Sequence, residues 1–136
     1  WPKAAMAALP AAGWETAERV LCVRLDRLGD VLMTTPAIRA VKCSRPGRHV
    51  TLLSAGPGAA VARLVPEIDE VIVYDAPWMK ATPPRSDGRP EYEMADRLQA
   101  GRYGAAIVFT GYSQSPLPAA LLCYLADIPL RLAHCR

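Results

Sequence analysis

The sequence predicts an α/β protein built on a Rossmann-like, doubly wound parallel sheet. Apolar residues make up 51% of the 136-residue chain, which is enough to bury one core. Short continuous apolar runs alternate with segments of helical spacing, and such runs are typical of strands that are buried on both faces. Right-handed crossovers between parallel strands then lead to the expected strand order 3-2-1-4-5.

The elements follow one another in a regular β-α alternation. The first apolar run is Val20 to Leu25, and helical spacing follows from Asp30 to Lys42. Pro36 leaves two interpretations of this helix open: it is either the first helical residue, with Thr35 as N-cap, or a kink in a helix that begins earlier. The predicted strands lie near residues 20–25, 49–54, 71–75, 105–110 and 130–133.

Three further helices are predicted between the later strands. They cover Ala59 to Val65, Glu91 to Gln99, and a segment that opens at Ser115-Pro116 and runs to about Ala126. Residues 76–90 are rich in proline and contain Gly88, so we expect a long exposed loop there. Residues 1–18 show no clear period and are expected to form a loosely ordered leader to a domain at 19–136.

Composition and motifs exclude several classes of function. A net charge of +3 with both signs mixed does not indicate a nucleic-acid-binding protein. No apolar run approaches the ~20 residues of a membrane span. Gly56-Pro57-Gly58 begins like a dinucleotide fingerprint, but it follows the second strand and Val61 stands where Gly or Ala is required.

The cysteines and histidines are widely spaced. Reduced, mostly buried thiols in a cytosolic protein are the favoured interpretation, and a zinc site at His134 and Cys135 is the alternative. His49 and His134 lie at strand edges, where a structural role is expected. The four cysteines are Cys22, Cys43, Cys123 and Cys135.

The candidate site lies where the strand order reverses, between strands 1 and 4. The loops to consider are therefore residues 24–35 and 110–115. Asp30 follows Gly29 at the mouth of a helix, where it is either a cap or a general base for a substrate hydroxyl. Arg24, Asp26 and Arg27 alternate in sign and are interpreted as a solvated ion-pair cluster.

The segment VLCVRLDRLGDVLMTTPAIRAVK, at residues 20–42, resembles the first strand, loop and helix of the family 9 glycosyltransferases. Further matches are residues 46–75, the DAPWMK stretch at 75–80, and residues 105–134, which continue in register. The resemblance implies the N-terminal half of a GT-B fold, which mainly holds the acceptor. It also implies that the chain ends at Arg136 before the C-terminal donor domain, so activity is not expected from it alone.

The resemblance implies an inverting, metal-independent and cofactor-free transfer of a heptose or related sugar. The donor would be a nucleotide sugar such as ADP-heptose, and the acceptor a glycolipid or lipopolysaccharide core. It implies a cytoplasmic location and leaves open a peripheral contact with the inner membrane. Asp30 takes the role of the base. The substrate-binding candidates are Gly29, Arg27, Thr34, Thr110, Gly111 and Lys80.

Two other functions stay open at this point, a non-catalytic binding domain and an unrelated Rossmann-like oxidoreductase. The loop cations Lys80, Arg85 and Arg89 are either contacts for an anionic acceptor or solvated charges.

Overall fold

The computed structural model describes residues 13–111 and 113–134, which form one five-stranded parallel sheet with helices on both faces. The strand order is β3-β2-β1-β4-β5, so the predicted fold class and order are confirmed. The elements are β1 Arg19–Val23, α1 Leu28–Cys43, β2 His49–Ser54, α2 Gly56–Ala62, β3 Glu70–Val73, α3 Arg89–Ala100, β4 Ala105–Val108, α4 Leu117–Leu125 and β5 Leu130–Ala133.

Strand β1 is the centre of the sheet and pairs with β2 on one side and β4 on the other. Leu21, for example, lies between Thr51 and Ala106. Residues 20–23 are all buried, which agrees with their continuous apolar run. The carboxyl end of β1 therefore opens at the point where the strand order reverses.

Two hydrophobic cores cover the two faces of the sheet. One contains Leu21, Leu53 and Leu98, and it packs α3 and α4 against the strands. The other contains Cys22, Leu52 and Ile38, and it packs α1 and α2 against the opposite face. This division follows from the strand period of two, which sends successive β1 side chains to opposite faces.

Helix α1 begins at Leu28, so Pro36 lies inside the helix and Thr35 is not its N-cap. Pro36 has no N–H to donate to the carbonyl of Leu32 one turn earlier. The Thr35 hydroxyl donates to that carbonyl instead, at 2.7 Å. This local replacement explains how the helix continues through the proline.

The expectation of a loosely ordered leader is wrong for residues 13–18, while residues 1–12 lie outside the described part. Residues 13–16 form a helical turn, and Ala17 is buried. Arg48, itself buried, donates to the carbonyls of Trp14 at 2.7 Å and Ala17 at 2.9 Å. The segment is thus fastened to the amino ends of the strands.

The loop at residues 76–88 is irregular, as predicted, but it is not wholly exposed. Ala76 is buried, and the Trp78 ring meets the Tyr74 ring edge-to-face at 5.8 Å. Arg85 pairs with Glu91 at 2.9 Å. Ala76 and Trp78 therefore hold the loop by apolar contacts, which its high proline content does not indicate.

The other three helices also differ from their predicted bounds, and α3 begins two residues earlier and ends one residue later than expected. Helix α2 begins at Gly56 and ends at Ala62, three residues earlier at each end than expected. Helix α4 begins at Leu117 with Pro116 as its N-cap residue, and Ser115 Oγ accepts the Leu117 N–H at 3.2 Å. In the described ranges, no helix has the length and apolarity that a membrane crossing requires.

Candidate functional site

A cavity of about 970 Å³ lies at the carboxyl ends of the strands. The loops after β1, β2, β3 and β4 all contribute to its wall, so it occupies the position where open parallel sheets bind ligands. Polar side chains come mainly from the β1–α1 and β4–α4 loops. The residues of these two loops that line it are Leu25, Asp26, Arg27, Leu28, Phe109, Thr110, Ser113, Gln114 and Ser115.

Arg24 lies between two carboxylates of the β1–α1 loop. Its Nε is 2.7 Å from Asp26 Oδ1, and its Nη2 is 3.4 Å from Asp30 Oδ1. The Arg24 and Asp26 side chains are 13% and 8% exposed, whereas that of Asp30 is 40% exposed. The expectation of a solvated cluster is therefore wrong for Arg24 and Asp26, which form a half-buried ion pair, while Arg27 is exposed.

Asp30 occupies the third position of α1, and its Oδ2 accepts the backbone N–H of Arg27 at 3.1 Å. This contact is the capping arrangement that the sequence left open. Two carboxylate oxygens have about four acceptor positions between them, so the contacts with Arg27 and Arg24 leave capacity for a substrate hydroxyl. Asp30 itself is not part of the cavity wall, although Arg27 and Leu28 are.

The structure brings three of the six predicted substrate-binding residues to the cavity: Arg27, Thr110 and Lys80. Thr34 is buried, and its hydroxyl donates to the Asp30 carbonyl at 2.7 Å, so it faces the interior of α1. The sequence does not reveal this role, because it does not show whether a threonine hydroxyl bonds a carbonyl of its own helix or faces a ligand.

Neither predicted glycine lines the cavity wall. Gly29 lies exposed in the first turn of α1, where an added Cβ would meet open space, so no tight turn requires a glycine there. Gly111 donates its N–H to Gln114 Oε1 at 3.0 Å, and an added Cβ would lie 3.8 Å from Asp26 Oδ2. Gly111 thus places the β4–α4 loop beside Asp26.

Sequence reasoning missed Asp26 and Trp78 as members of the site. Asp26 lies three residues after the last residue of the central strand, and this position near the carboxyl end of β1 is the signal that could have identified it. Trp78 lines the cavity from the β3–α3 loop together with Met79. Tyr74 supports Trp78 and donates to Glu91 Oε2 at 3.3 Å. Burial and the nearby Glu91 carboxylate raise the pKa of Tyr74, which keeps this supporting hydroxyl protonated.

Two of the three cysteines in the described part have buried thiols that hold their protons tightly. Burial raises the pKa of Cys22 to about 12 and that of Cys123 to about 11, whereas Cys43 is exposed. His134 is exposed, and Cys135, the other half of the alternative zinc site, lies outside the described residues. Across residues 13–111 and 113–134, no three His, Cys, Asp or Glu side chains group in a way that could hold a metal ion.

Comparisons with known proteins agree on the fold. No protein-family model matches the chain. A glycosyltransferase family 9 structure from Veillonella parvula superposes on 86% of the chain with a TM-score of 0.67 and 22% identity. Heptosyltransferase II of E. coli covers 85% with a TM-score of 0.65 and 20% identity. The chain has the fold of the family 9 glycosyltransferases.

Two further similarities extend this result. The E. coli heptosyltransferase WaaC with ADP matches 85% of the chain at 25% identity and a TM-score of 0.59. The "Putative glycosyltransferase" of Haemophilus influenzae is 38% identical over 56 residues. The resemblance to family 9 seen in the sequence is therefore confirmed.

The family 9 fold continues well beyond the matched region in these proteins. The chain spans 32%, 30% and 35% of the lengths of the three structures. The match to the Haemophilus protein covers 41% of this chain and 16% of that one.

Proposed function

We propose that this chain is the acceptor-side domain of an inverting glycosyltransferase that transfers a heptose or related sugar from a nucleotide sugar to a lipopolysaccharide-type acceptor. The observation that supports this most is the pairing of the family 9 fold with a cavity at the strand-order reversal. Carboxylates stand beside that cavity, and the reaction needs one as a base.

Asp30 is the proposed base. Its carboxylate takes the proton of the acceptor hydroxyl while the hydroxyl oxygen attacks the anomeric carbon of the donor. The bond between that carbon and the nucleoside diphosphate breaks, and the diphosphate leaves with the bonding electrons. Attack from the face opposite the leaving group inverts the anomeric configuration. The partial exposure of Asp30 supports its role as the base, because the reacting hydroxyl must reach the carboxylate.

The acceptor is proposed to occupy the cavity, where Arg27, Thr110 and Lys80 contribute donors from three different loops. Arg85 is not proposed as a contact for an anionic acceptor, because it forms an ion pair with Glu91. Lys80 lines the cavity and stays available for a phosphate group of the acceptor.

The donor is proposed to bind mainly through a second domain, since the structural neighbours are about three times as long as this chain. One of these neighbours, the E. coli heptosyltransferase WaaC, is a complex with ADP, which agrees with a nucleotide-diphosphate sugar as donor. We further propose that the reaction takes place in the cytoplasm, at the face of the inner membrane where glycolipid acceptors are made.

A transfer assay on the complete enzyme tests this function. ADP-heptose, UDP-glucose and GDP-mannose would each be offered with lipopolysaccharide core oligosaccharide, and the glycosylated product would be detected by mass spectrometry. We expect transfer from a nucleotide heptose by the complete enzyme. Residues 1–136 alone should show neither transfer nor tight nucleotide-sugar binding in a calorimetric titration.

Two outcomes would contradict this assignment. Micromolar affinity of residues 1–136 for a nucleotide sugar would show that the domain roles are wrong. Acceptor binding without any transfer by the complete enzyme would favour the non-catalytic binding domain. The oxidoreductase alternative is not supported, because Gly29 is the one glycine between β1 and the end of α1, where a dinucleotide site needs several.

A further inference from the structure

The carboxylate of Asp26 is the most unusual group in the cavity wall. Its side chain is 8% exposed, yet it lines the cavity. Asp26 Oδ1 pairs with Arg24 Nε at 2.7 Å, a distance typical of a charge-assisted contact. Asp26 Oδ2 accepts no hydrogen bond from any described residue, so this oxygen is free to accept one from a ligand in the cavity.

We propose that Asp26 accepts a hydrogen bond from a hydroxyl group of the acceptor sugar, and that Arg24 positions both Asp26 and Asp30. The inference rests on the proposed function and extends it, because Asp26 binds the acceptor and Asp30 receives the proton. The hydroxyl that Asp26 holds is a neighbour of the one that reacts.

Charge balance determines which ligand suits Asp26. The guanidinium of Arg24 is shared between two carboxylates, and the side chain of Arg27, which also lines the cavity, forms no ion pair with either of them. An ionised carboxylate only accepts hydrogen bonds, so it selects a donor such as a sugar hydroxyl and repels a phosphate. A phosphate group of the acceptor would lie towards Lys80, elsewhere in the same cavity.

The position of Asp26 fits a ring that bridges two loops. Gly111 brings the β4–α4 loop close to Asp26 Oδ2, and that loop supplies Thr110 and Ser113 to the cavity wall. A sugar ring between the loops would thus meet hydroxyl groups on one side and a carboxylate on the other.

The shape of the Arg24 guanidinium explains why an arginine stands here. It directs Nε at Asp26 and Nη2 at Asp30, so one rigid plane relates the acceptor-binding carboxylate to the proposed base. A lysine has a single ammonium nitrogen and cannot span the two carboxylates in this way. We therefore treat Arg24 as a positioning residue that has no direct contact with substrate.

Asp26→Asn in the complete enzyme tests the proposal, with ADP-heptose as donor and lipopolysaccharide core oligosaccharide as acceptor. A hydrogen bond to a charged group is typically worth enough to change affinity about 10- to 100-fold. We expect the acceptor KM to rise by about that factor, with kcat within about threefold and the donor KM unchanged. Glu67→Gln is the matched control, because Glu67 forms an ion pair with Arg39 away from the cavity and should leave both constants unchanged.

Arg24→Met leaves a buried carboxylate without its counter-charge and can unfold the chain, so Arg24→Lys and the double variant Arg24→Met/Asp26→Asn accompany it. We expect Arg24→Lys to lower kcat and raise the acceptor KM together. The double variant should recover the Tm that Arg24→Met loses while its acceptor KM stays raised. Equal rises in both KM values for Asp26→Asn would indicate a structural role and overturn the proposal.

Two results separate this inference from the function on which it rests. An unchanged acceptor KM in Asp26→Asn, with turnover abolished in Asp30→Asn, would refute the role of Asp26 and leave the proposed function intact. A wild-type enzyme that transfers no sugar would refute both.

Discussion

Replacement of Asp30 by Asn separates the two roles of this side chain, because the amide keeps its shape and loses its basicity. Asp30 Oδ2 accepts the Arg27 N–H at 3.1 Å, and an amide oxygen accepts the same bond about as well. The contact with Arg24, at 3.4 Å, involves a carboxylate that is 40% exposed. After allowance for solvent screening, this contact is worth at most about 1 kcal/mol. The Tm should therefore fall by no more than about 5 °C.

Turnover should respond much more strongly than stability. A general base typically contributes ~10²–10⁴-fold in rate, which corresponds to about 2.7–5.5 kcal/mol of the activation barrier. We expect kcat of Asp30→Asn to fall by that factor, with the acceptor KM within about threefold. The assay is the rate of ADP release from ADP-heptose in the presence of lipopolysaccharide core oligosaccharide, with the complete enzyme.

Asp30→Ala is the companion variant, because it removes the cap as well as the base. It should show the same loss of kcat as Asp30→Asn and an additional stability loss of about 0.5–2 kcal/mol. Near-normal turnover in Asp30→Asn, combined with a lower Tm in Asp30→Ala, would mean that Asp30 is only a cap. The base would then have to be sought elsewhere in the site.

Three further predictions test other parts of the structure. Lys80→Ala should raise the KM for a phosphorylated acceptor and weaken the salt dependence of that KM, because Lys80 lines the cavity. Arg85→Ala, which breaks the pair with Glu91, should change neither. Equal effects of the two variants would refute a specific role of Lys80 in acceptor binding. Arg48→Met should lower stability by about 2–4 kcal/mol in urea unfolding, because the buried guanidinium donates to three carbonyls and a hydroxyl; a change below about 0.5 kcal/mol would show that residues 13–18 do not depend on it. The raised pKa of Cys22 means that the folded state holds this thiol proton more tightly than the unfolded chain does. Deprotonation of Cys22 therefore does not affect the free energy of unfolding below pH 9.0, and it lowers that free energy as the pH rises from 9.0 towards about 12. Cys22→Ala should remove that part of the alkaline loss of Tm, and identical alkaline profiles would contradict it.

The sheet could be predicted from the sequence because strands that are buried on both faces consist of continuous apolar runs. Continuous apolar runs such as Val20 to Leu25 mark parallel strands, and their alternation with helical spacing then limits the possible strand orders to a few. Every predicted strand lies within two residues of its observed start. Strand ends and helix starts differ more from the prediction, because they depend on capping contacts between neighbouring residues.

Pro36 and residues 13–18 show why local patterns were insufficient. The choice between two helix starts depended on whether the carbonyl of Leu32 could find another donor, and the Thr35 hydroxyl supplies it. The order of residues 13–18 depends on Arg48, which comes some thirty residues later in the chain. The pattern of residues within a short segment cannot show a contact with a side chain some thirty positions later in the chain.

The cavity lies at the loops that the strand order predicts, whereas the sequence does not predict the burial and contacts of several residues around it. The strand-order reversal correctly identified the loops after β1 and β4 as cavity walls. Alternation of charge at Arg24 and Asp26 suggested a solvated cluster, because sequence spacing does not show that both side chains are covered. Thr34 appeared polar and available, but it bonds within its own helix.

A binding titration tests most directly whether the cavity between β1 and β4 is an acceptor site. Residues 1–136, labelled with ¹⁵N, would be titrated with lipopolysaccharide core oligosaccharide and followed by amide chemical shifts. We expect shifts to concentrate in the loops at residues 24–30, 75–83 and 109–115, and to disappear in Asp26→Asn at the same concentration. Shifts confined to the second cavity, which Arg19 and Leu130 line at the opposite end of the strands, would contradict the account, as would the absence of any shift at millimolar oligosaccharide.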